Sequence, residues 1–592
     1  MKVPKGIIAV LVLVLGTMFG MNNANAQTLK VLTAGSSAQF GPFAVAAYAL
    51  AKAGGVTAYH YTVKSGSCPG TSCYAYLNDS RTVTSGGTTY TIPPEPGNLW
   101  VCWSTNGIWA FLSVDSTVGV RAFSAVPRAT LALAALSSLP VSATTNYTYW
   151  ADGTNDTALT STVYSALSGT ALTAANTDIR PEDALFATNR ALNSLGYGYV
   201  PDPRSGHSGQ YLIGNPIVSH FTSTSIANPV SFAIAGGADP FSGSTGPTEI
   251  TLPIGAAPIV FVASTASGST VASATNITTT NAACLFSGYG TGVSGSPSAC
   301  SAAPCSSSYV SGATGTIDPV LREPLSGTMN TTQYTVFVPG GGDQEANIPN
   351  PPTAANDGNP LAIACGSGHR YRAVGTGDDV NNVIATPNTL GYAFFSYESV
   401  GGGKTDRYLE LNGYDPIYPT SHTYTGTLPT CAVSGGSYDC PLTSSTGLSF
   451  PNLRNGDYTA WSVYRLITDS TGETNAQALV TEAQQLVDNT IPDFVPFTPV
   501  CATSTSGLND PGLDVYREHF VPSTIETTPD TVSITPNDGS LGSTVTCRVI
   551  AKSLPPLTLG GGTEAGGDVG GTVEGPFTSS PSTPGPTESQ PH

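Results

Sequence analysis

The chain has 592 residues, of which only 10% are charged, against about 25% in an average globular protein. Asp and Glu outnumber Lys and Arg by 39 to 21, giving a formal net charge of −18. No basic run occurs after residue 30, which argues against a nucleic-acid partner, because phosphate backbones require clustered Lys and Arg.

Residues 1–26 have the pattern of a secretory signal peptide. A basic start is followed by an apolar stretch at residues 7–19 and by small residues before Gln27. An uncleaved membrane anchor is the alternative, but the apolar stretch is short for a bilayer span. No cysteine directly follows the apolar stretch, which disfavours a lipid anchor. We expect an exported, soluble protein that is periplasmic or secreted.

Eleven cysteines are consistent with export into an oxidising compartment. Three close pairs predict local disulfides, each worth about 2–4 kcal/mol: Cys68/Cys73, Cys300/Cys305 and Cys431/Cys440. Cys501 with Cys547 is a fourth candidate pair. The remainder is Cys102, Cys284 and Cys365, and an odd total leaves at least one free thiol. The seven scattered histidines form no zinc pattern, so we expect no metal and no cofactor.

The N-terminal third predicts a strand–turn–helix unit followed by an insertion. Residues 29–34 read as a strand, 35–40 as a Gly/Ser turn, and 42–55 as a helix of small residues that glycines terminate. Residues 62–98 are a polar loop or hairpin insertion. Residues 109–123 predict a strand, a polar turn, and then a strand or the start of a helix.

The rest of the chain alternates strands and helices, which is typical of an α/β fold. In order, we expect a helix at 176–198, a buried strand at 252–265, an apolar segment at 334–338, a turn into a strand at 386–396, and helices at 459–468 and 475–491. Residues 559–592 are a Gly/Pro/Ser-rich tail that is predicted to be disordered, because it cannot bury enough apolar surface to order itself.

Four short segments carry hydroxyl, carboxylate and guanidinium groups in one order along the chain. They are GSSAQF (35–40), SVDSTVG (113–119), TDIRPEDA (177–184) and LREPLSGT (321–328). This series resembles the phosphate-binding proteins of ABC importers, which have the class II periplasmic binding protein fold. The segments are similar to that family's two anion loops, its aspartate segment and its Arg-x-x-x-Ser-Gly-Thr loop.

The resemblance implies a two-lobe α/β protein with a hinge and a ligand cleft between the lobes. Residues 27–258 plus 396–550 would form lobe one, and residues 259–395 would form lobe two. Long loop insertions would account for the extra length. Gln39 stands where the family has a threonine, and Val118 where it has a glycine.

Hydroxyls and backbone N–H groups at helix N-termini can hold an oxyanion without a large positive charge. The candidate ligand-binding residues are Ser36, Ser37, Gln39, Phe40 (through its N–H), Ser116, Thr117, Asp178, Arg322, Ser326, Gly327 and Thr328. Arg322 would add a fork that matches two phosphate oxygens. The alternatives are a plain turn at residues 326–328 and an ordinary salt bridge from Arg322 to Glu323 or another acid.

Asp178 is unexpected in an anion site, because a carboxylate repels an anion. Phosphate still carries a proton near neutral pH and can donate it to the carboxylate, whereas sulfate has none to donate. Asp178 would therefore select phosphate over sulfate. The alternative is that Asp178 caps a helix that begins near Pro181.

These features favour an exported solute-binding protein that is not an enzyme. It would capture phosphate or a similar oxyanion as a monomer and pass it to an ABC permease. The first alternative is a secreted interaction or adhesive protein that reuses the fold. The second is an extracellular phosphatase-like enzyme, which would need a metal cluster that the sequence does not offer.

Overall fold

A computed structural model describes the chain in segments. They are residues 27–64, 73–85, 88–92, 94–141, 154–179, 197–201, 210–214, 250–322, 326–337, 339–342, 370–373, 375–400, 406–418, 423–428, 432–434, 437–439, 450–454, 457–489, 493–496, 515–516, 530–534 and 545–551. Within them, no helix combines the length and apolar character needed to cross a membrane.

Strands dominate the described residues. They are β1 (Leu29–Gly35), β2 (Tyr59–Val63), β3 (Ala75–Asn78), β4 (Thr82–Ser85), β5 (Thr88–Thr91), β6 (Glu95–Pro96), β7 (Asn98–Ser104), β8 (Gly107–Ser113), β9 (Thr130–Leu133), β10 (Thr170–Ala171), β11 (Ala174–Thr177), β12 (Tyr197–Pro201), β13 (Gln210–Gly214), β14 (Ile250–Ser264), β15 (Asn276–Ile277), β16 (Val310–Ser311), β17 (Asp318–Arg322), β18 (Tyr371–Ala373), β19 (Thr389–Phe394), β20 (Asp406–Leu411), β21 (Ala432–Ser434), β22 (Ser437–Asp439), β23 (Trp461–Thr468), β24 (Val495–Pro496), β25 (Val515–Tyr516), β26 (Asp530–Ile534) and β27 (Val545–Ala551).

The α-helices lie between these strands. They are α1 (Phe40–Lys52), α2 (Ser116–Ser124), α3 (Ser161–Leu167), α4 (Thr279–Ser287), α5 (Gly327–Thr332), α6 (Gly375–Ala385), α7 (Tyr397–Val400), α8 (Pro451–Arg454) and α9 (Glu473–Asn489). The strand–turn–helix unit predicted in the N-terminal third is confirmed by β1 and α1. The predicted strands at 252–265 and 386–396 and the helix at 475–491 are confirmed by β14, β19 and α9.

One mixed sheet organises the molecule, in the order β16-β15-β20-β14-β23-β11-β1-β8-β7-β2. β1 lies between β8 and β11 and is parallel to both. Together with β2, β7, α1, α2 and α9, these strands form what we call the β1 half. β17 is parallel to β18 and β19, and these three strands with α4, α5 and α6 form what we call the β17 half.

Strand β14 joins the two halves. Residues Ile250–Pro258 pair with β23, which in turn pairs with β11. Residues Ile259–Ser264 pair with β19 and β20. At about 3.3 Å per residue, 15 residues of strand extend roughly 50 Å, enough to run from one half into the other.

Side chains on β1 and β8 alternate between two apolar cores. Val31, Trp109 and Phe111 face the core that also contains α1. Leu32 and Leu112 face the opposite core. This period of two is what a strand buried on both faces requires, because successive side chains point to opposite sides of the sheet.

The helix expected at 459–468 is wrong, because this segment is strand β23. All eight residues of WSVYRLIT are buried, and the strand lies between β11 and β14 in antiparallel register. An apolar run that is buried on every side shows neither a helical nor a strand period, and its β-branched and aromatic residues favour the strand. Most of the apolar segment at 334–338 lies in a π-helix, Gln333–Phe337, that continues α5.

The predicted Cys300/Cys305 disulfide is wrong. Cys284 in the buried helix α4 is bonded to Cys300, with the two Cα atoms 5.4 Å apart. Cys305 and Cys73 are each disulfide-bonded as well, and Cys102 is a buried free thiol. Nearness in sequence misled the prediction, since the loop after α4 folds back and brings Cys300 to the helix instead.

Several predictions lie outside the described residues. They concern the signal peptide at 1–26, residues 180–196 of the helix predicted at 176–198, the tail at 559–592 and the cysteines Cys68, Cys365, Cys431, Cys440 and Cys501. The two ends of that predicted helix are wrong, because residues 176–177 end strand β11 and residues 197–198 begin strand β12. The pairings that involve those cysteines, and the lobe boundaries, stay predictions.

Candidate functional site

The four segments singled out in the sequence follow the carboxyl ends of parallel strands. β1 ends at Gly35, β8 at Ser113 and β11 at Thr177, and these three ends lie side by side in the β1 half. β17 ends at Arg322 in the β17 half. Ligands of open α/β sheets bind in the crevice outside such strand ends, so the fold itself brings these segments to one place.

Gly35 allows the first loop to approach its neighbour closely. Its φ of +148° is disfavoured for other residues, and a Cβ atom there would lie 1.8 Å from the carbonyl oxygen of Asn176. The next residue, Ser36, donates its N–H to that same oxygen over 3.0 Å. The loop after β1 is thereby fixed against β11, directly beside Asp178.

Asp178 is the centre of a hydrogen-bond cluster in the β1 half. Its Oδ2 accepts from the Ser36 hydroxyl at 3.1 Å, and its Oδ1 accepts from the Ser116 hydroxyl. The Asp178 carbonyl oxygen accepts from Ser462 Oγ on β23 at 2.9 Å. The carboxylate therefore gathers two of the predicted hydroxyl donors.

Burial raises the pKa of Asp178 above its ordinary value, because the charged form loses its hydration. Hydrogen bonds from Ser116 and Ser36 and the positive charge of Arg322 oppose this rise without cancelling it. The side chain is thus a proton acceptor of increased basicity that is held next to a cation. Such a group suits a ligand that brings its own proton.

Arg322 is buried, with 1% of its surface exposed. Its Nη1 donates to Thr328 Oγ1 at 3.1 Å and to Thr376 Oγ1 at 3.3 Å, and its backbone N–H donates to the hydroxyl of Tyr392 at 3.2 Å. These contacts fix the guanidinium on the β17 half. A guanidinium in this position is a preorganised fork for an oxyanion.

An acid from the β1 half lies close to Arg322. Asp115 Oδ1 lies 3.7 Å from Arg322 Nη2. Asp115 occupies the N-cap position of α2, yet its side chain makes no capping hydrogen bond to that helix. The salt-bridge alternative for Arg322 therefore holds with Asp115 as the acid, whereas Glu323 lies outside the described residues.

Gly327 lets the Ser-Gly-Thr segment touch the aspartate. A Cβ atom at this position would lie 1.6 Å from Asp178 Oδ1 and 2.9 Å from Ser116 Oγ. Ser326 caps α5 by accepting a hydrogen bond from the N–H of Met329. The start of α5 is thus in direct contact with the carboxylate on the other half, so the two halves are closed on each other here.

Gln39 and Phe40 have partners within the protein. The Gln39 amide donates to Thr177 O at 2.6 Å and accepts from Asn176 Nδ2 at 2.8 Å, so this side chain holds the end of β11. The N–H of Phe40 donates to Ser37 O. Gln39 is thus placed to position Asp178 through the strand that carries it.

Four of the predicted residues contact Asp178 or Arg322 directly: Ser36, Ser116, Gly327 and Thr328. Ser36, Gln39, Phe40, Ser116, Thr117, Asp178, Arg322, Ser326, Gly327 and Thr328 are all buried, and Ser37 is half-buried. In the described segments, no group of three or more His, Cys, Asp or Glu side chains is arranged to hold a metal ion.

Sequence reasoning missed three residues that contact this cluster: Asn176, Ser462 and Thr376. Residues 459–468 were predicted to form a helix, and Ser462 was therefore not expected next to the end of β11. Asn176 directly precedes the aspartate segment at 177–184, so its position next to that segment was a signal that could have identified it. Thr376 lies in no recognisable motif, and its contact Ser37 is 339 positions away in the chain.

Comparisons with known proteins found likenesses among solved structures. No protein-family model matches the chain, and no curated protein matches it. A high-affinity periplasmic phosphate-binding protein, PfluDING, solved with phosphate, is 13% identical over 79% of this chain and 90% of its own, with a TM-score of 0.29. A phosphate-binding protein from Stenotrophomonas maltophilia is 13% identical over 64% and 77%, with a TM-score of 0.28. A putative phosphate ABC transporter substrate-binding protein from Clostridium perfringens, with bound phosphate, is 14% identical over 41% and 71%, with a TM-score of 0.25. All three TM-scores lie below 0.5, so the site is interpreted from its own contacts.

Proposed function

We propose that this protein is an exported solute-binding protein that captures phosphate, or a similar tetrahedral oxyanion, between its β1 and β17 halves. It performs no chemistry on the ligand, and binding with closure is its function. An ABC permease is the proposed recipient of the ligand. The disulfide between Cys284 and Cys300 supports a location in an oxidising compartment outside the cytoplasm.

One observation carries the proposal: a buried arginine on one half lies close enough to a buried aspartate on the other that its charge opposes the rise that burial causes in the pKa of the carboxyl, and hydroxyl groups contact both. Arg322 supplies a fixed guanidinium, and Asp178 supplies an acceptor of raised pKa beside it. A structural ion pair would need no hydroxyl donors on its acid, yet Ser36 and Ser116 both donate to Asp178. This combination of one cation, one proton acceptor and several small donors matches a protonated oxyanion.

Binding would exchange hydrogen bonds within this cluster. The phosphate proton is donated to Asp178, which then no longer needs the hydrogens of Ser36 and Ser116. Both hydroxyls rotate and donate to phosphate oxygens instead, since each has one hydrogen to give. The Arg322 guanidinium contributes charge-assisted bonds, which are the stronger kind.

The acidic charge of the whole protein does not conflict with this proposal. A net charge of −18 acts on the encounter with an anion at long range, and salt screens that effect beyond about 8–10 Å. The energy of the bound state comes from donors in contact with the ligand.

Titration calorimetry with phosphate on the mature protein tests the proposal. We expect saturable binding with one site, and Arg322→Lys should weaken it about 10- to 100-fold, because lysine keeps the charge but loses the fork. Arg128→Lys is the matched control. Arg128 is paired with Asp469 at 2.6 Å and is partly exposed, so its replacement should leave phosphate affinity unchanged.

A folded protein that binds neither phosphate nor arsenate nor sulfate would refute this function and would favour a secreted interaction protein. Binding that survives in Arg322→Lys with full affinity would locate the anion elsewhere. Thermal melting provides a second measurement, because a ligand at 100 times its dissociation constant adds about 2.7 kcal/mol to the free energy of unfolding.

A further inference from the structure

We propose that Thr376, which none of the four sequence segments contains, donates a hydrogen bond to the bound anion, and that this donor forms only when Ser37 and Thr376 meet across the two halves. This inference rests on the proposed function and adds a residue that determines affinity. It assigns a role to the start of α6 that the fold alone does not reveal.

The contact between the two halves is direct. Ser37 Oγ and Thr376 Oγ1 are 3.3 Å apart, and the backbone N–H of Thr376 donates to Ser37 Oγ over the same distance. Ser37 lies just after β1, and Thr376 lies in the first turn of the 11-residue helix α6. Thr376 is 3% exposed, so its hydroxyl is shielded from water, whereas Ser37 is half-buried.

Counting hydrogens shows that one donor in this pair is unused. Each hydroxyl has one hydrogen and two lone pairs. One hydrogen is shared between Ser37 and Thr376, and Arg322 Nη1 donates to Thr376 Oγ1 at 3.3 Å. If Ser37 donates to Thr376, the Thr376 hydrogen remains, and if Thr376 donates, the Ser37 hydrogen remains. Within the described segments of the chain, neither hydroxyl has a further acceptor.

A buried hydroxyl hydrogen without an acceptor is costly, because the group has lost its hydrogen bonds to water. The spare hydrogen of this pair lies beside the guanidinium of Arg322, where an anion would sit. An anionic oxygen at that point accepts from both groups and satisfies the spare donor. Because the Thr376 oxygen already accepts from Arg322 and from Ser37, its own hydrogen is the one left for the ligand.

The location of the pair connects this donor to closure. Ser37 belongs to the β1 half and Thr376 to the β17 half, so their hydrogen bonds break when the halves separate. The donor is therefore in place only in the closed protein. Its contribution should lie in the rate of ligand release, because the first encounter happens before closure.

The test is phosphate binding by three variants, measured by calorimetry and by stopped-flow kinetics. Thr376→Val keeps the shape but removes the hydroxyl, and should weaken binding about 10- to 100-fold, with most of the change in the dissociation rate. Thr376→Ser keeps the hydroxyl and should remain within about threefold of wild type. Thr389→Val is the matched control, since Thr389 is buried beyond the far end of α6 and its hydroxyl contacts the carbonyls of Val383 and Thr386.

The outcomes separate this inference from the function on which it rests. If the wild type binds phosphate and Thr376→Val binds it equally well, the inference alone is wrong. If Thr389→Val loses as much affinity, or if Thr376→Val lowers only the melting temperature of the ligand-free protein, Thr376 is structural. If the wild type binds no oxyanion, the proposed function and this inference fall together.

Discussion

Replacing Gly327 by alanine should weaken anion binding at least tenfold while leaving most of the fold intact. The new Cβ atom would lie 1.6 Å from Asp178 Oδ1, whereas ordinary contact begins near 3.4 Å. The start of α5 and the carboxylate must therefore separate by about 1.8 Å along this line. Misplacing a buried group by this distance breaks hydrogen bonds, because they weaken steeply away from their preferred geometry.

The expected losses of stability and affinity follow from the contacts that this displacement breaks. Overpacking of this kind costs about 1–3 kcal/mol of stability. Moving Asp178 away from Ser116 and from the ligand removes at least one charge-assisted hydrogen bond, worth about 1.5–3 kcal/mol. We expect phosphate affinity to fall by at least tenfold and up to about 150-fold. The melting temperature should fall by several degrees without loss of the cooperative transition.

Gly377→Ala is the matched control for this substitution. Gly377 lies in α6 close to the site, is exposed, and has open space where its Cβ would be. Alanine there should stabilise the helix by up to about 1 kcal/mol and leave affinity unchanged. Calorimetry and thermal melting on both variants decide the matter. Full phosphate affinity in Gly327→Ala would show that this contact between the halves is irrelevant to the ligand and would refute the reasoning.

Three further predictions concern selectivity, pH and the disulfide. Asp178→Asn should reduce the preference for phosphate over sulfate about 10- to 100-fold, because the amide neither repels sulfate nor requires a ligand proton. In the wild type, sulfate binding should strengthen as the pH falls through the raised pKa of Asp178. If the ratio of phosphate affinity to sulfate affinity changes neither in the variant nor with pH, Asp178 is purely structural. Burial raises the pKa of Asp493 to about 7, so the folded state binds this proton more tightly than the unfolded state does. The free energy of unfolding should therefore fall as the pH rises, by on the order of 3 kcal/mol between about pH 5 and pH 8. Asp493→Asn should make the free energy of unfolding, measured by urea titration, less dependent on pH. An equal pH dependence in the variant would assign the effect to other groups. Removing the Cys284–Cys300 disulfide by double alanine substitution should lower the free energy of unfolding by about 3 kcal/mol. Phosphate affinity measured by calorimetry should change little. A large loss of affinity would show that the loop after α4 shapes the site.

Local sequence signals were sufficient to predict structure where the same few residues both form a structural element and carry the polar groups of the site. The turn at 35–40 combines a strand end, a glycine and small hydroxyl residues, and each of these has a meaning that does not depend on the rest of the chain. Arg322 and the Ser-Gly-Thr segment are likewise close in sequence. The predictions for β1 and α1 followed from such short-range patterns, whereas the grouping of the four segments came from their resemblance to the phosphate-binding proteins.

The errors arose where long-range packing decides. Residues 461–468 are buried between two strands, so their apolar pattern has no period that distinguishes a strand from a helix. Cys300 lies five residues from Cys305 but is bonded to Cys284, because the path of the loop, not sequence distance, sets which thiols meet. Thr376 could not be identified, since its role depends on a contact with Ser37 that only the closed fold creates.

Strand β14 has a consequence for how this protein unfolds. Its first nine residues complete the sheet of the β1 half, and its remaining residues pair with β19 and β20. Neither half therefore has a complete sheet without the same strand, unlike two domains connected by a linker that could fold alone. Loss of β14 from one partner removes it from the other, so the halves should melt in a single transition whose midpoint is the same whichever half is monitored.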